Sequence, residues 1–232
     1  MFGEIAPQYD LLNRLLSFGI DRRWRKKTVR YLNLGPEHRV LDLCCGTGDL
    51  ALAFAANQVQ VVGADFTLPM LPLARRKAEA KGRQGSWVQS DAQALPFPND
   101  RFDAITIAFG IRNVEDPRKA IAECWRVLKP GGRLAVLEFF PVPGRFWGPI
   151  FRFYFNRILP AVAKLLKAGR TGAYRYLPNS VDDFTEVGEF RRWLQQEDFE
   201  VLRDQALTGG VARLVVGGKS EETREQIKAD GR

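Results

Sequence analysis

RVLDLCCGTGDLA, residues 39–51, joins a short apolar run to a glycine-rich loop and to the start of a helix-like segment. The part Gly46-Thr47-Gly48-Asp49-Leu50-Ala51 fits the GxGxxG/A pattern, which in dinucleotide-binding proteins follows a strand and opens a helix. The pattern alone does not identify the ligand. It predicts a small-molecule site at the end of a strand, and the charges around the loop have to decide what binds there.

The rest of the chain predicts the architecture around this loop. Strand-like segments rich in β-branched residues alternate with helical stretches, which is typical of a parallel, doubly wound α/β sheet with its site at the carboxyl ends of the strands. Near the C-terminus, FEVLRDQAL and VARLVVGGK flank Gly209-Gly210 and indicate an antiparallel hairpin. We therefore predict a mostly parallel, seven-stranded, Rossmann-like sheet that ends in a hairpin. The predicted helices cover 49–57, 68–81 and 117–128, with two more within 4–33.

Length and composition predict one soluble domain. A chain of 232 residues with 45% hydrophobic residues can bury a real core. Three cysteines give no disulfide framework, and neither a signal peptide nor a membrane span is evident, so we expect a cytoplasmic protein. The expected organisation is a domain over 1–219, with an N-terminal helical lid (1–38), a helical insertion facing substrate or membrane (144–182) and a charged tail (220–232).

Acidic residues at the loop argue against a dinucleotide. Asp42 lies at the end of the first predicted strand and Asp49 follows the loop, and each would repel a pyrophosphate by about 1 kcal/mol even when screened. The loop contains no lysine or arginine to offset them. A cationic ligand without phosphate would be attracted instead. S-adenosylmethionine, which carries a sulfonium and an ammonium group, fits this requirement.

The next two predicted strands also end in carboxylates. Asp65, followed by Phe66, is placed to accept the ribose hydroxyls, and Asp91, followed by Ala92, lies where the adenine is expected. Gly46 and Gly48 would let the backbone approach the ligand. A single strand-terminal Asp can instead cap a helix or form a turn, and NAD sites use an acid at similar spacing. Three strand ends with a carboxylate together favour S-adenosylmethionine. The predicted cofactor residues are Asp42, Gly46, Thr47, Gly48, Asp65, Phe66, Asp91 and Ala92.

Longer motifs add a family resemblance. VLDLCCGTGD, GADFTLPML, DAQALPFPNDRFDAITIAFGIRNVED and RVLKPGGRLAVLEF resemble the class I methyltransferase fold, specifically the UbiE/MenG family of quinone C-methyltransferases. The resemblance extends from MFGEIAPQYDLLNRLLSFGIDRRWRK to LTGGVARLVVGGK and leaves out only the tail. RVLKPGG occurs in many methyltransferases, whereas FGIRNVED and the YDLLNRLLSFGIDRRWR start are specific to this family.

The resemblance implies methylation of a ring carbon of a polyprenylated quinol. This converts demethylmenaquinol to menaquinol, or acts at the equivalent step towards ubiquinone. It places Thr47, Asp65, Asp91 and Ala92 on cofactor-contacting positions and suggests that Tyr9 belongs to a lid. The chain departs from the family pattern at Cys44-Cys45, at Ala108, where serine is common, and at DDFT, which replaces a Phe-Pro pair. A homodimer is left open.

Arg112 and Asn113, just past the fourth predicted strand, are the candidate catalytic residues. Carbon methylation is faster on a phenolate than on a neutral quinol. A guanidinium stays protonated and therefore cannot act as a base, but its positive charge can stabilise a phenolate. Asn113 could orient the quinol oxygen or a water. The sole histidine, His38, precedes the first strand on the side away from the site. Alternatively, Arg112 pairs with Glu115 or Asp116 and only shapes the loop.

A basic and aromatic segment at 144–170, GRFWGPIFRFYFNRILPAVAKLLKAGR, predicts contact with a membrane surface. Such a composition is typical of segments that lie on anionic lipid, and the net charge of +8 agrees with an acidic partner. Pro149 and Pro160 argue against one continuous helix. The same segment could be an ordinary insertion over the substrate pocket. We expect peripheral contact with the inner face of the cell membrane.

Other functions fit the sequence less well. A methyltransferase for another lipid or small aromatic acceptor would keep the cofactor loop but would not need FGIRNVED or the Trp24-Arg25 element. A nucleic-acid methyltransferase should carry an Asn-Pro-Pro-Tyr or Pro-Cys motif after the fourth strand, where this chain has FGIRN, so we expect no nucleic-acid partner. A non-catalytic scaffold would be expected to lose the loop or its acids. A dehydrogenase is disfavoured by Asp42 and by the hairpin.

Overall fold

A computed structural model describes residues 19–141, 180–181 and 183–221. They form a seven-stranded sheet in the order β3-β2-β1-β4-β5-β7-β6. Strands β1 to β5 are parallel, and β7 runs antiparallel to both of its neighbours. The predicted doubly wound, mostly parallel sheet with a terminal hairpin is confirmed.

The helices and strands follow one another in the alternation that the sequence predicts. The strands are β1 (Arg39–Leu43), β2 (Gln60–Asp65), β3 (Ser86–Gln89), β4 (Phe102–Ala108), β5 (Leu128–Glu138), β6 (Phe199–Leu207) and β7 (Ala212–Lys219). The helices are α1 (Asp21–Leu32), α2 (Asp49–Ala55), α3 (Met70–Ala80), α4 (Pro117–Val127) and α5 (Val187–Gln196), with 3₁₀ turns at Ile111–Asn113 and Thr208–Gly210.

Local chemistry explains where the helices begin. The predicted start of α3 at residue 68 is two residues early, because Leu68 precedes Pro69, which disfavours helical backbone at the residue before it. Helix α4 starts as expected, with Pro117 in the first turn and the Asp116 side chain accepting hydrogen bonds from two backbone amides. Helix α5 was missed, although its buried residues Phe190 and Leu194 show helical spacing.

The carboxyl-terminal part of the sheet departs from the prediction in one detail. The helix predicted over 117–128 ends at Val127, and Leu128 together with the following KPGG belongs to β5, whose pairing with β4 shifts register between Phe102 and Ala104. Strand β7 lies between β5 and β6, so that the hairpin's second strand, rather than its first, pairs with the parallel part of the sheet.

Two apolar layers cover the sheet. One contains the buried faces of α4 and α5, and the other contains those of α1 and α2. Because helices cover both faces of the sheet, a ligand can bind at the carboxyl ends of β1 to β4, where the loops converge.

Some predictions fall outside the described residues. They concern the first N-terminal helix, Tyr9, nearly all of the 144–182 insertion and most of the tail. In the ranges that the structure describes, no helix has the length and apolar character needed to cross a bilayer.

Candidate functional site

The loops after β1 to β4 enclose a cavity of about 260 Å³. Parallel α/β sheets bind ligands at this edge, where the loops that follow neighbouring strands meet. The lining combines carboxylates, amides and apolar side chains. It consists of Leu43, Cys44, Gly46, Asp65, Phe66, Thr67, Met70, Ser90, Asp91, Ala92, Gln93, Phe109, Gly110, Asn113, Val114 and Glu115.

The charge of the lining is negative. Asp65, Asp91 and Glu115 contribute carboxylates, and none of the described residues that line the cavity is a lysine or arginine. A pyrophosphate would meet repulsion here without a counter-charge, whereas a sulfonium or ammonium group would be attracted. The lining is therefore acidic, as the sequence predicted, but through Asp65, Asp91 and Glu115 rather than through Asp42 and Asp49, which do not line the cavity.

Asp65 is held in place at the carboxyl end of β2. Its Oδ2 accepts a hydrogen bond from the backbone amide of Gly46 (2.7 Å), and its Oδ1 accepts one from Thr67 (2.8 Å). Burial raises the pKa of this carboxyl, and the two backbone amides oppose the rise. Each carboxylate oxygen can accept a second hydrogen bond. A pair of ligand hydroxyls could therefore bind this fixed, nearly buried carboxylate.

The adjacent strand ends supply a flat apolar surface and a second carboxylate. Phe66 is 72% exposed, unusually high for a phenylalanine, and lies on the cavity wall. Asp91 and Ala92 line the same cavity. Oδ1 of Asp91 accepts hydrogen bonds from the backbone and side chain of Gln93 (2.9 and 3.2 Å). This part of the site offers stacking and hydrogen bonding, which suit a heteroaromatic ring such as adenine.

The glycine loop is braced from α3. Nζ of Lys77 donates hydrogen bonds to Oγ1 of Thr47 and to Oδ1 of Asp49, each at 2.8 Å. Burial would raise the pKa of Asp49, but the charge and hydrogen bond of Lys77 hold it below its usual value. Asp49 is therefore neutralised and adds little to the repulsion of a phosphate. Thr47 is buried and lies off the cavity lining.

Gly48 is needed for packing. Its φ of 79° is left-handed, and a Cβ at this position would lie 2.6 Å from Cη2 of Trp87 on β3. Of the two glycines predicted to let the backbone approach a ligand, Gly46 lines the cavity, whereas the space at Gly48 is filled by Trp87.

Asp42 lies behind the cavity rather than on its lining. It is 1% exposed, and its carboxylate accepts hydrogen bonds from Oγ1 of Thr106 (2.7 Å) and from the amide of Ala51 (2.9 Å). Burial raises the pKa of Asp42 to about 6, a rise that the Thr106 hydrogen bond and the charge of Arg25 partly oppose. Asp42 ties β1 to β4 and α2, and its effect on a ligand would be electrostatic.

Arg112 also points away from the lining. Its guanidinium pairs with the buried Glu138 at the end of β5, donates to the Phe109 carbonyl (3.0 Å) and donates to Oγ of Ser180 (3.2 Å). Its partner is neither Glu115 nor Asp116. Burial raises the pKa of Glu138, with Arg112 opposing the rise. Within the described structure, Oε2 of Glu138 meets no hydrogen-bond donor.

The turn after β4 is strained and forms one wall of the cavity. Phe109 has a left-handed φ of 60°, and its carbonyl also accepts a hydrogen bond from Nδ2 of Asn113 (3.4 Å). Cys44 on the facing loop has a φ of 55°, and a Cβ on Gly110 would lie 2.3 Å from the Cβ of Cys44. Such conformations are uncommon outside glycine and cluster at functional sites. Asn113 lies on the cavity lining, just past β4, where the sequence places it.

Sequence reasoning missed several residues around the site. Lys77 and Glu138 lie far along the chain from the residues they contact, so no local sequence pattern predicts these contacts. Phe109 and Gly110 belong to the quoted FGIRNVED motif, and their place directly after β4 was the available signal. His38 is in its expected place, before β1 and away from the cavity.

Comparison with protein families gives a match over nearly the whole chain. The sequence profile of the ubiE/COQ5 methyltransferase family matches residues 1–219. A demethylmenaquinone methyltransferase from Thermus thermophilus is 52% identical over 94% of this chain and all of its own length. A demethylmenaquinone methyltransferase from Deinococcus radiodurans is 46% identical (94% and 91%), and a ubiquinone/menaquinone biosynthesis C-methyltransferase from Geobacter sulfurreducens is 44% identical (94% and 87%).

Solved structures agree on the fold. The YcgJ protein from Bacillus subtilis superposes with a TM-score of 0.64 at 22% identity, covering 85% of this chain and 98% of its own. A SAM-dependent methyltransferase from Aquifex aeolicus gives 0.61 at 18% identity, covering 84% and 88%. At these identities the likeness supports the architecture alone.

Proposed function

Because the chain belongs to the ubiE/COQ5 methyltransferase family, we propose that it transfers the methyl group of S-adenosylmethionine to a ring carbon of demethylmenaquinol. The observation that carries the proposal is the acidic cavity at the carboxyl ends of β1 to β4, together with the relatives that are named for this reaction. The demethylated benzoquinol of the ubiquinone pathway is a second candidate acceptor, since other relatives are named for both pathways.

The residues of the cavity fit S-adenosylmethionine. Asp65 would accept the ribose hydroxyls, the exposed ring of Phe66 would stack on the adenine, and Asp91 with Ala92 would contact its edge. Gly46 would bring backbone atoms against the ligand. We propose that Asp42, Thr47 and Gly48 support the site from outside the lining. When bound, the cofactor supplies an electrophilic methyl group on a positively charged sulfur, and the acidic lining favours that charge.

The acceptor must present an electron-rich carbon. Loss of the phenolic proton of a quinol moves electron density onto the ring carbon, which could then take the methyl group as the S–CH₃ bond breaks and S-adenosylhomocysteine is left. Release of the proton on that carbon would restore the aromatic ring as a phenolate, and the phenolate would take up one proton to give the methylated quinol. Asn113, on the cavity wall, can hold the quinol oxygen or a water that carries a proton away. Reaction requires the carbon to lie about 3–3.5 Å from the methyl group.

The role proposed for Arg112 differs from the direct phenolate stabilisation expected from the sequence. Its charge is paired with Glu138, and among the described contacts it meets the cavity lining through the Phe109 carbonyl. We propose that Arg112 is a positioning residue, which holds the strained turn at Phe109 and so places Asn113.

Peripheral membrane contact belongs to the same proposal. A polyprenylated acceptor resides in a bilayer, and the basic aromatic segment at 144–170 has the composition to lie on anionic lipid. The net charge of the whole chain, +8, is opposite in sign to that of anionic lipid.

A panel of acceptors tests the proposed function. Labelled S-adenosylmethionine is offered with reduced demethylmenaquinol, reduced demethylated benzoquinol and a small phenol as a non-quinol control. We expect transfer to the naphthoquinol and none to the phenol. Transfer to both quinols would assign a role in two pathways. If S-adenosylmethionine binds and the phenol alone is methylated, the chain acts on a different aromatic class and the proposal fails.

A further inference from the structure

Trp24 fixes the position of α1 against the cavity wall. Its Nε1 donates a hydrogen bond to Oγ1 of Thr208 (2.9 Å), and its ring lies 6.0 Å from the rings of both Phe109 and Phe139. The side chain is only 5% exposed. A helix anchored in this way holds the next residue, Arg25, in a defined place.

Arg25 lies behind the ring of Phe109, which is part of the cavity wall. The guanidinium carbon is 5.3 Å from the centre of that ring, and the side chain is 12% exposed. Among the described residues it forms an ion pair with Asp21, whose Oδ2 is 3.5 Å from Nε, too far for a good hydrogen bond. In the described part of the chain, the buried Nε of Arg25 has no hydrogen-bond acceptor.

The other cations beside the cavity have acceptors of their own. Lys77 pairs with Asp49, and Arg112 pairs with Glu138. Arg25 acts on Asp42 through space: the pKa of Asp42 rises because of burial, and the charge of Arg25 opposes that rise. A nearly buried guanidinium whose Nε has no hydrogen-bond acceptor is costly, even with Asp21 3.5 Å away, unless a ligand completes its hydrogen bonding.

The cofactor has a group that the lining does not match. Its amino-acid end carries an ammonium and a carboxylate. The acidic lining suits the ammonium, but no lysine or arginine among the described lining residues faces a carboxylate. A guanidinium is the side chain whose paired N–H groups fit a carboxylate best.

We propose that Arg25 binds the α-carboxylate of the amino-acid end of S-adenosylmethionine, reaching it past the Phe109 ring. This inference rests on the proposed function, because it assumes that cofactor. It gives the Trp24-Arg25 element a purpose: α1 delivers one cation to a cavity that is otherwise acidic. Arg25 would thereby distinguish ligands that carry the amino-acid carboxylate from nucleosides that lack it.

Calorimetry with two ligands tests this role. S-adenosylhomocysteine is compared with its decarboxylated form, which keeps the amine and lacks only the carboxylate. Arg25→Gln and Arg25→Lys are measured beside Arg22→Gln, a control on the exposed side of the same helix. Thermal unfolding of each variant reports whether α1 is still docked.

Arg25→Gln should weaken the binding of S-adenosylhomocysteine about tenfold or more, since charge-assisted hydrogen bonds are strong. The affinity for the decarboxylated form should change by less than about twofold. Arg25→Lys should retain part of the affinity, and Arg22→Gln should match the wild type. Equal loss for both ligands, or no loss for either, would overturn the inference. Failure of the wild type to bind S-adenosylhomocysteine would instead overturn the proposed cofactor.

Discussion

Three carboxylates near the cavity, Asp42, Asp65 and Glu138, are buried at the ends of strands, and burial raises the pKa of each. At the scale of single residues, the three carboxylates have different roles. Asp65 faces the cavity, Asp42 joins β1 to its neighbours, and Glu138 offsets Arg112. Their position at strand ends could be predicted for Asp42 and Asp65. Whether such a carboxylate meets ligand or protein depends on tertiary neighbours, such as Thr106, that lie far along the chain.

Asp42→Asn should make stability less dependent on pH. The folded-state pKa of about 6 lies above the ordinary value of 3.8, so the folded protein binds more protons than the unfolded chain between these values. The contribution of Asp42 to stability is therefore present at pH 4 and is lost as pH rises through 6. The difference amounts to at most about 3 kcal/mol.

Urea unfolding of the wild type and Asp42→Asn at pH 4 and pH 7.5 measures this effect. Asparagine can still accept from Ala51 and donate to the Thr106 hydroxyl, so we expect the variant to gain stability relative to the wild type at the higher pH. A constant difference between the two proteins across this range would show that Asp42 does not titrate there.

Glu138→Gln tests whether Arg112 acts by position or by charge. If Arg112 held a phenolate with its charge, removal of the opposing carboxylate would leave kcat intact or raise it. Because we place Arg112 as a positioning residue that needs Glu138, we expect Glu138→Gln and Arg112→Lys each to lower kcat about tenfold or more, with little change in the Kd for S-adenosylmethionine.

The double variant Arg112→Gln/Glu138→Gln, measured beside the single variants Arg112→Gln and Glu138→Gln, separates this effect from simple unfolding. Coupled residues give non-additive losses, so it should be no worse than the more damaged single variant and should recover melting temperature. Additive losses in kcat would mean that the two side chains act independently.

At the scale of elements, packing against neighbouring side chains constrains the sequence of the glycine loop as much as ligand binding does. The sequence pattern predicted a strand, a loop and a helix, and all three are present at nearly the predicted residues. The contact of Gly48 with Trp87 and the brace from Lys77 could not be predicted, because each involves a side chain from another element. Periodicity identified the strands but missed α5, which has helical spacing over only ten residues.

Gly48→Ala should destabilise the protein more than Gly82→Ala. Both glycines have a left-handed φ, 79° and 58°, but a Cβ at Gly82 has nothing within 4 Å, whereas one at Gly48 overlaps Trp87. Gly82→Ala should cost about 1 kcal/mol from backbone strain alone. Gly48→Ala adds a steric clash, and we expect at least about twice that cost by urea unfolding. Equal costs would mean that the Trp87 ring moves aside freely.

At the scale of the whole molecule, the mostly parallel sheet and its antiparallel end followed from the alternation of segments and from the hairpin signal near the C-terminus. The place of β7 between β5 and β6 did not, because pairing between distant strands leaves no mark in local sequence. The same limit applies to charge: composition gave the net value of +8, but only the fold brings Asp65, Asp91 and Glu115 together around one cavity.

Binding to vesicles tests the proposed membrane contact. The protein should sediment with vesicles that contain anionic lipid at low salt, should be released by salt, and should not sediment with neutral vesicles. Replacing Lys164, Lys167 and Arg170 with glutamine should weaken binding, whereas replacing Arg22, Arg23 and Lys26 on the exposed side of α1 should have a smaller effect. Equal sedimentation with neutral vesicles, or equal loss in both variants, would contradict contact through this segment.

The central claim is carbon methylation of a reduced quinone, and one measurement tests it most directly. The protein is incubated with S-adenosylmethionine carrying a CD₃ group and with demethylmenaquinol, reduced or oxidised, and the product is analysed by mass spectrometry and carbon NMR. We predict a CD₃ group on the ring carbon of the reduced acceptor, equal formation of S-adenosylhomocysteine, and no product from the oxidised quinone. A CD₃ group on oxygen, or equal transfer to the oxidised quinone, would contradict it.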